Sequence, residues 1–300
     1  YLDVDGCNFI RNVAIASGTE HVTRGGGAIF FAQQGKYGSV RNSNFTNNSV
    51  QSTGKADGGA ILWDMSSHGV IDNCIFDGNY VTSTMERDIT GNKLYLQGGA
   101  LFLRAADNYT ISNSVFKNCW SDMEGGAMYL SIRAKSGATN PNGVYFINLT
   151  FINNTAKNNG PLLVPSSGSN HQGGGAIFVK ETKNTVSFDN VKFINNTAYG
   201  HGGAISVYNL NGGSGEITLN KITFDGNNAT EDGGSLWFSK CAPKLTNSRI
   251  IGSIAGNNGG GIYSTENMIY SNLTFINNTA KQGGALYWLK NAALTIEGMN

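Results

Sequence analysis

The chain is poor in charged residues and has no long apolar run. Only 14% of its 300 residues are charged, and the net charge is +1. Binding to nucleic acid calls for a basic stripe, and a membrane-spanning helix calls for about 20 consecutive apolar residues. We therefore expect no nucleic-acid partner and no membrane span in this segment. Helical spacing of apolar residues is also absent, which favours an all-β fold.

Cysteine is scarce, and the carboxylates are scattered. The four cysteines include no C-x-x-C pair, so we expect free buried thiols and no metal site. Asp5 and Asp72 recur at one position of the chain's pattern, but Arg41 falls between them, and Asp64 and His201 are expected to be solvated turn residues. A site that cleaves polysaccharides needs clustered carboxylates. We therefore expect no catalytic residue, no cofactor and no enzyme activity.

Glycine is abundant and recurs in a fixed motif. A Gly-Gly pair followed by small and apolar residues occurs nine times among the 41 glycines. The pairs are residues 26–27, 58–59, 98–99, 125–126, 174–175, 202–203, 233–234, 260–261 and 283–284. They lie 23 to 49 residues apart. A motif that returns every few dozen residues indicates a stacked-repeat architecture.

An aromatic motif, Phe-x-x-Asn, precedes most of the glycine pairs. It begins at Phe9, Phe45, Phe76, Phe151, Phe193, Phe224 and Phe275, and Phe116 and Ile251 take the same place in two weaker copies. Longer copies carry insertions between the aromatic residue and the glycine pair, and the two largest are 81–97 and 155–172. A solenoid tolerates such insertions because each coil contacts only its neighbours.

Apolar residues alternate within each copy, as Val144 and Phe146 do. A period of two predicts short strands. Stacked in parallel, the copies would form a parallel β-helix of about nine coils that rises ~4.8 Å per coil. We therefore predict a single β-helix over residues 1–300. Because the sequence begins and ends inside a coil, we expect it to be a segment of a longer protein.

Asparagine recurs on both sides of the aromatic position. Three residues before it stand Asn42, Asn73, Asn113, Asn148, Asn190 and Asn272, and three residues after it stand Asn12, Asn48, Asn79, Asn154, Asn196, Asn227 and Asn278. Asparagine tolerates the left-handed conformation of a sharp bend. We interpret the two sets as ladders that line two corners of the coil, with the glycine pair at a third corner.

The combined motif resembles the polymorphic outer membrane protein repeat. The segments FINNTAKQGGALYW (275–288) and FINNTAYGHGGAISV (193–207) are the closest in pattern. That repeat is known from chlamydial autotransporter passengers and from adhesin-like surface proteins of some archaea and protists. The resemblance implies a right-handed parallel β-helix in a secreted or surface-displayed protein with an adhesive or structural role.

Large residues follow the glycine pairs in one column, which we call the stripe. Its members are Phe30, Leu62, Phe102, Tyr129, Phe178, Trp237 and Tyr287. The next residue is also large in most copies, as at Trp63 and Phe238. Adjacent strand residues face opposite sides, so one of the two columns points away from the interior. Two alternatives remain open: an exposed apolar patch that binds a partner, or a second small core covered by the insertions.

Asn-x-Ser/Thr sequons are frequent, and in a secreted eukaryotic protein they accept N-linked glycans. We expect occupancy at Asn47, Asn108, Asn153, Asn195, Asn228 and Asn277. Asn148 and Asn272 also head sequons but belong to a ladder, so we expect them to be buried.

These features favour a non-catalytic extracellular or cell-surface rod that serves adhesion or builds a surface filament. Its expected partners are further copies of itself, other surface and filament proteins, or glycans. The alternative is a carbohydrate-binding or carbohydrate-active β-helix of the pectate lyase or glycosidase type. An acidic groove along one face would favour that alternative.

Overall fold

The computed structural model describes residues 1–16, 25–31, 37–64, 67–83, 95–104, 107–132, 143–157, 173–182, 184–208, 215–289 and 294–297. Within these residues the regular elements are strands, and no helix occurs. Equivalent strands of successive repeats pair in parallel, as where Phe76 lies between Phe45 and Phe116. The prediction of an all-β parallel β-helix is confirmed.

Three large sheets run along the stack. Sheet 1 takes two strands from each of the first seven coils, one long strand from each of the next two, and one final strand. These are Leu2–Asp5, Asn8–Ile10, Gly38–Arg41, Asn44–Thr46, Ser67–Asp72, Ile75–Asp77, Asp107–Ser112, Val115–Lys117, Val144–Ile147, Thr150–Ile152, Val186–Asp189, Lys192–Ile194, Ile217–Asn220, Thr223–Asp225, Pro243–Ile251, Met268–Ile276 and Leu294–Glu297. Sheet 2 contains Val13–Ala16, Ser49–Ser52, Tyr80–Ser83, Trp120–Ser121, Thr155–Ala156, Thr197–Ala198, Asn228–Ala229 and Ile254–Ala255. Sheet 3 contains Ile29–Phe31, Ile61–Asp64, Leu101–Arg104, Met128–Ile132, Ile177–Thr182, Ile205–Tyr208, Leu236–Ser239, Ile262–Ser264 and Leu286–Trp288. A short pair joins Ala56–Asp57 to Leu96–Gln97.

Each coil turns three corners, and one residue of left-handed conformation stands at each. The first corner, three residues before the aromatic position, has Gly6, Asn42, Asn73, Asn113, Asn148, Asn190, Lys221, Asn247 and Asn272. The second corner, two residues after it, has Arg11, Asn47, Gly78, Asn118, Asn153, Asn195, Gly226, Gly252 and Asn277. The third has Gly26, Gly58, Gly98, Gly125, Gly174, Gly202, Gly233, Gly259 and Gly283. Glycine and asparagine dominate because they adopt this conformation at the lowest cost.

The second glycine of each pair is required by close packing rather than by its conformation. A side chain on Gly99 would collide with the carbonyl oxygens of Gly126 and Trp120. These oxygens belong to the next coil, so the pair lets neighbouring backbones approach closely at the third corner.

The predicted register is wrong in the eighth coil. Ile250, not Ile251, pairs with Phe224 and Phe275. The left-handed glycine of this coil is Gly259, so the pair is 259–260 rather than 260–261. Two consecutive isoleucines and three consecutive glycines make both registers compatible with the motif, and only the pairing to adjacent coils distinguishes them.

The asparagines three residues after the aromatic position point into the core and do not form the second corner. Asn196 is fully buried. Its Nδ2 donates to the carbonyl oxygen of Phe151 in the preceding coil at 3.1 Å and to Oδ1 of Asn227 in the next coil at 3.0 Å. Asn48 and Asn154 make the same set of bonds. We call this column the inner ladder, and the amides of Asn48, Asn154 and Asn196 each join three successive coils.

The other asparagine column lies outside. Along the first corner, Nδ2 of Asn73 donates to Oδ1 of Asn42 at 2.8 Å, and Nδ2 of Asn190 donates to Oδ1 of Asn148 at 2.8 Å. These residues are exposed. The expectation that Asn148 and Asn272 are buried is therefore wrong, because both are corner residues whose side chains project outward. We call this column the outer ladder.

The main core lies between the sheets and contains the aromatic column. Its phenylalanine rings stack from coil to coil with centroids 4.4 to 5.2 Å apart, from Phe9 through Phe224. These spacings equal the distance between paired strands. Trp63 and Phe238 of sheet 3 face the same core, which leaves the stripe on the opposite side of that sheet.

Replacing Asn196 by alanine tests the inner ladder. The change leaves the buried backbone N–H of Asn154 without an acceptor and also removes the bonds of the Asn196 amide to Nδ2 of Asn154, to the carbonyl of Phe151 and to Oδ1 of Asn227. Each unpaired buried group costs about 1–3 kcal/mol, so we expect a loss of about 3 kcal/mol or more in the free energy of unfolding by urea. Asn190→Gly in the outer ladder is the control and should cost less than about 1 kcal/mol. Equal losses in the two variants would contradict the assignment.

Candidate functional site

The stripe forms a second apolar cluster on the outer side of sheet 3. Leu62, Phe102, Tyr129, Phe178 and Trp237 are all buried, together with Tyr208. The expectation of an exposed stripe is wrong for these residues. At one end Phe30 is 49% exposed, and at the other Tyr287 is half-buried. Of the two insertions predicted to cover the stripe, residues 84–94 and 158–172 lie outside the described part of the chain.

Rings of the stripe stack along the axis. Phe102 and Tyr129 have centroids 5.1 Å apart, and Tyr263 and Tyr287 are 5.4 Å apart. Tyr263 holds the stripe position of the eighth coil and was missed because the glycine pair of that coil was assigned one residue late. Burial, followed by the nearby charge of Asp232, raises the pKa of the Tyr263 hydroxyl to about 12.

A polar column borders the stripe at the position just before each glycine pair. It includes Asp57, Gln97, Glu124, His201, Asp232 and Asn258. Neighbouring members bond to each other: Nε2 of Gln97 donates to Oε2 of Glu124 at 2.6 Å, and Nδ2 of Asn258 donates to Oδ1 of Asp232 at 2.8 Å. Sequence reasoning missed this column, although its polar residues can be read directly ahead of the glycines.

His201 is not the solvated turn residue that the sequence suggested. It is 8% exposed, and its ring stacks on Trp237 with centroids 4.8 Å apart. Its Nε2 lies 3.0 Å from Oε2 of Glu231, and its Nδ1 accepts a hydrogen bond from the backbone N–H of Asp232. The histidine therefore covers part of the stripe and connects it to the polar column.

Two carboxyl groups of the polar column are unusual because they are buried, and the cations and hydrogen-bond donors near them do not offset the effect of burial on their pKa. Asp57 is 7% exposed, and its Oδ1 has no hydrogen-bond partner among the described residues. Burial raises the pKa of Asp57 to about 8, although Arg104 opposes the shift. Burial also raises the pKa of Glu124 to about 7. Asp57 is therefore mostly protonated at neutral pH, and Glu124 is protonated in about half of the molecules.

Charged residues from several coils surround these carboxyls. Asp64, expected to be solvated, is 2% exposed and forms a two-point ion pair with Arg104 at 2.6 and 2.7 Å. Lys180 is an extra residue at a bulge, because Leu130 pairs with Val179 but Ser131 pairs with Glu181. Such bulges redirect a side chain. The Lys180 amine lies 5.6 Å from the ring centre of Tyr95, and that of Lys55 lies 4.8 Å from it.

The remaining reactive groups form no further cluster in the described ranges. No group of three His, Cys, Asp or Glu residues there is placed to hold a metal ion. The four cysteines are free, and burial raises the pKa of the Cys119 thiol to about 12. No helix long and apolar enough to cross a membrane occurs in the same ranges.

The predicted glycosylation sites fall at three kinds of position. Asn47, Asn153, Asn195 and Asn277 are exposed residues of the second corner. Asn228 is exposed on a strand of sheet 2, and Asn108 is partly exposed with a left-handed backbone.

The stacked coils, the parallel sheets and the recurrent Gly-Gly and Phe-x-x-Asn motifs define a β-helical repeat protein. The family model of the Chlamydia polymorphic membrane protein repeat matches residues 148–180, 190–208 and 272–287, which confirms the resemblance seen in the sequence. No curated protein and no solved structure matches the chain significantly. The repeat match supports a location at the cell surface.

The buried carboxyls predict a dependence of stability on pH. Folding raises the pKa of Asp57 from 3.8 to about 8 and that of Glu124 from 4.5 to about 7. The folded chain therefore binds more protons than the unfolded chain, so this contribution is fully present at acidic pH and is lost as pH rises towards 8. One pKa unit corresponds to about 1.4 kcal/mol, so shifts of this size correspond to a fall in the free energy of unfolding by urea of up to roughly 6 kcal/mol between pH 5 and pH 8.

Asp57→Asn should flatten this profile, because asparagine keeps the shape of the neutral side chain. Asp225→Asn, which changes an exposed carboxyl, is the matched control and should leave the slope unchanged. A profile for Asp57→Asn as steep as that of the unchanged protein would contradict the protonated state.

Proposed function

We propose that this chain is a non-catalytic rod that is displayed at the cell surface and presents variable loops for adhesion or for assembly of a surface layer. The observation that carries the proposal is the division of each coil into constant and variable parts. The number of residues from the first corner to the second is the same in all nine coils. The segments before and after the strand of sheet 3 differ in length from coil to coil. Variable loops on a rigid scaffold are where binding functions concentrate.

The two largest insertions leave the stack on the same edge. Residues 84–94 are bounded by Ser83 and Tyr95, and residues 158–172 are bounded by Lys157 and Gly173. Both gaps fall between a strand of sheet 2 and a strand of sheet 3, at the third corner. The insertions belong to the third and fifth coils, so their points of attachment are two coil steps apart, or roughly 10 Å at the strand spacing. A partner that binds both insertions would therefore have to span only this distance between their points of attachment.

The polar groups near this edge support an architectural role rather than a catalytic one. Asp64 is already paired with Arg104, and Glu124 is bonded to Gln97. Asp57 is buried against the stripe rather than open to a substrate. Glycoside cleavage would require two accessible carboxyls on either side of the scissile bond. We therefore assign partner binding to the loops, with other surface proteins, copies of this chain or glycans as the partners to test.

Exchanging a loop tests the display function. Residues 157–173 are replaced by Tyr-Gly-His, so that the fifth coil reads like the sixth coil at residues 199–201. We expect the rod to keep its far-ultraviolet circular dichroism while binding to cells or to other copies falls at least tenfold. A variant with the order of residues 158–172 scrambled keeps the length and separates loop sequence from loop bulk. Unchanged binding in both variants would contradict the proposal.

Electron microscopy of the protein isolated from its source distinguishes the two forms of the function. Regular filaments or sheets would establish assembly, because a stacked-repeat rod that contacts its copies head to tail forms open structures. Short separate rods would exclude assembly and leave adhesion as the remaining form of the function. Binding of the separate rods to a glycan array would then favour the carbohydrate-binding alternative.

A further inference from the structure

The sequons are the one strong sequence signal that the proposed rod does not use. In the sequence they occur at several positions of the repeat. In the structure these positions lie at different corners of the coil. The separation depends on what each asparagine amide contacts. It goes beyond display by the loops, because it concerns a different edge of the rod.

Sequons on or beside the outer ladder have their amide nitrogens engaged. Nδ2 of Asn148 donates to Oδ1 of Asn113 at 3.1 Å, and Nδ2 of Asn272 donates to Oδ1 of Asn247 at 2.8 Å. Nδ2 of Asn44 likewise donates to Oδ1 of Asn8 at 2.9 Å. The bonded neighbours lie one coil away, at a strand spacing of about 4.8 Å. A sugar on any of these nitrogens would have to displace the neighbouring amide.

Sequons at the second corner are different. The side-chain amides of Asn47 and Asn195 have no hydrogen-bond partner among the described residues, and both residues are exposed. Their backbones are left-handed, with φ of 54° and 53°. The residue that follows each one, Asn48 or Asn196, turns inward to the inner ladder. The corner therefore holds the acceptor asparagine on the outside of the coil, while the residue after it lies inside.

The adjacent coil leaves room at these two positions. Gly78 follows Asn47 in the corner column, and Gly226 follows Asn195. A Cβ on either glycine would collide with Oδ1 of the asparagine before it. The amide oxygen therefore faces the glycine, and the amide nitrogen is turned away from the next coil towards solvent. Asn153 lacks this arrangement, since its neighbours in the column are Asn118 and Asn195.

We propose that Asn47 and Asn195 carry N-linked glycans and that the second corner is the sugar-bearing edge of the rod. The donor is an oligosaccharide linked through pyrophosphate to a lipid. Nδ2 forms a bond to C1 of the first sugar, the bond from C1 to the phosphate oxygen breaks, and one Nδ2 proton leaves with the lipid pyrophosphate. The second corner and the third corner, where the loops attach, lie at opposite ends of the sheet 2 strands, so the glycans and the loop attachments would occupy different edges of the rod.

Mapping of the glycans on protein isolated from its source tests the proposal. Release by peptide-N-glycosidase in ¹⁸O water converts each modified asparagine to labelled aspartate, which peptide mass spectrometry locates. We expect label at Asn47 and Asn195 and none at Asn148 and Asn272. An intact mass equal to that of the unmodified chain would overturn the proposal, and so would equal label at the outer-ladder sequons.

Variants secreted from a eukaryotic host give a second, independent measurement. Thr197→Ala removes the sequon of Asn195 without touching its side chain, and Thr197→Ser keeps the sequon. We expect the first variant to lose the mass of one glycan and the second to retain it, with the same urea midpoint in both. Asn148→Gln should leave the glycan mass unchanged and lower the midpoint, because it disrupts the outer ladder. Loss of a glycan from Asn148→Gln, or none from Thr197→Ala, would contradict the assignment.

Discussion

The whole stack depends on one kind of buried hydrogen bond, which the inner ladder makes to the backbone at the second corner. Where the chain turns after the aromatic strand, the backbone N–H of the ladder residue is buried and needs an acceptor. Oδ1 of Asn196 accepts the bond from Asn154, and Oδ1 of Asn227 accepts the bond from Asn196. An unpaired buried N–H is costly, so the polar residue inside the core is also what permits the turn. A shift of register by one residue would move that amide to the surface and the aromatic ring with it.

The fold could be predicted from the sequence because its determinants are local and repeat. A left-handed residue at each corner, alternation along each strand and a recurring ring specify a coil, and repetition specifies the stack. Ile250 and Gly259 were misassigned because their identical neighbours leave a local pattern ambiguous. The depth of Asn148 was misjudged because the motif shows that a bend is present but does not show to which side the bend residue projects.

The candidate site was less predictable for a related reason. Whether Leu62 and Tyr129 are exposed depends on segments far along the chain and on side chains from other coils, and no repeat pattern encodes those contacts. The polar column from Asp57 to Asn258 varies in residue type at each coil, so a search for one recurrent residue does not find it. The sequence did predict where the coils differ in length. The insertions lie at the third corner, and the buried carboxyls of Asp57 and Glu124 lie at the same corner.

The inner ladder joins three coils at a time, and this makes the rod mechanically uneven. Where the asparagine is present, a coil cannot separate from the stack without also releasing a bond that belongs to the coil beyond it. In the fourth coil Cys119 takes the asparagine position, and its sulfur lies at the longer distances of 3.7 Å from the carbonyl oxygen of Phe76 and 4.0 Å from Nδ2 of Asn79. The column is interrupted again in the eighth coil, where Ser253 takes the asparagine position. Under tension along its axis, the rod should part first at these two coils rather than between coils that the amides join.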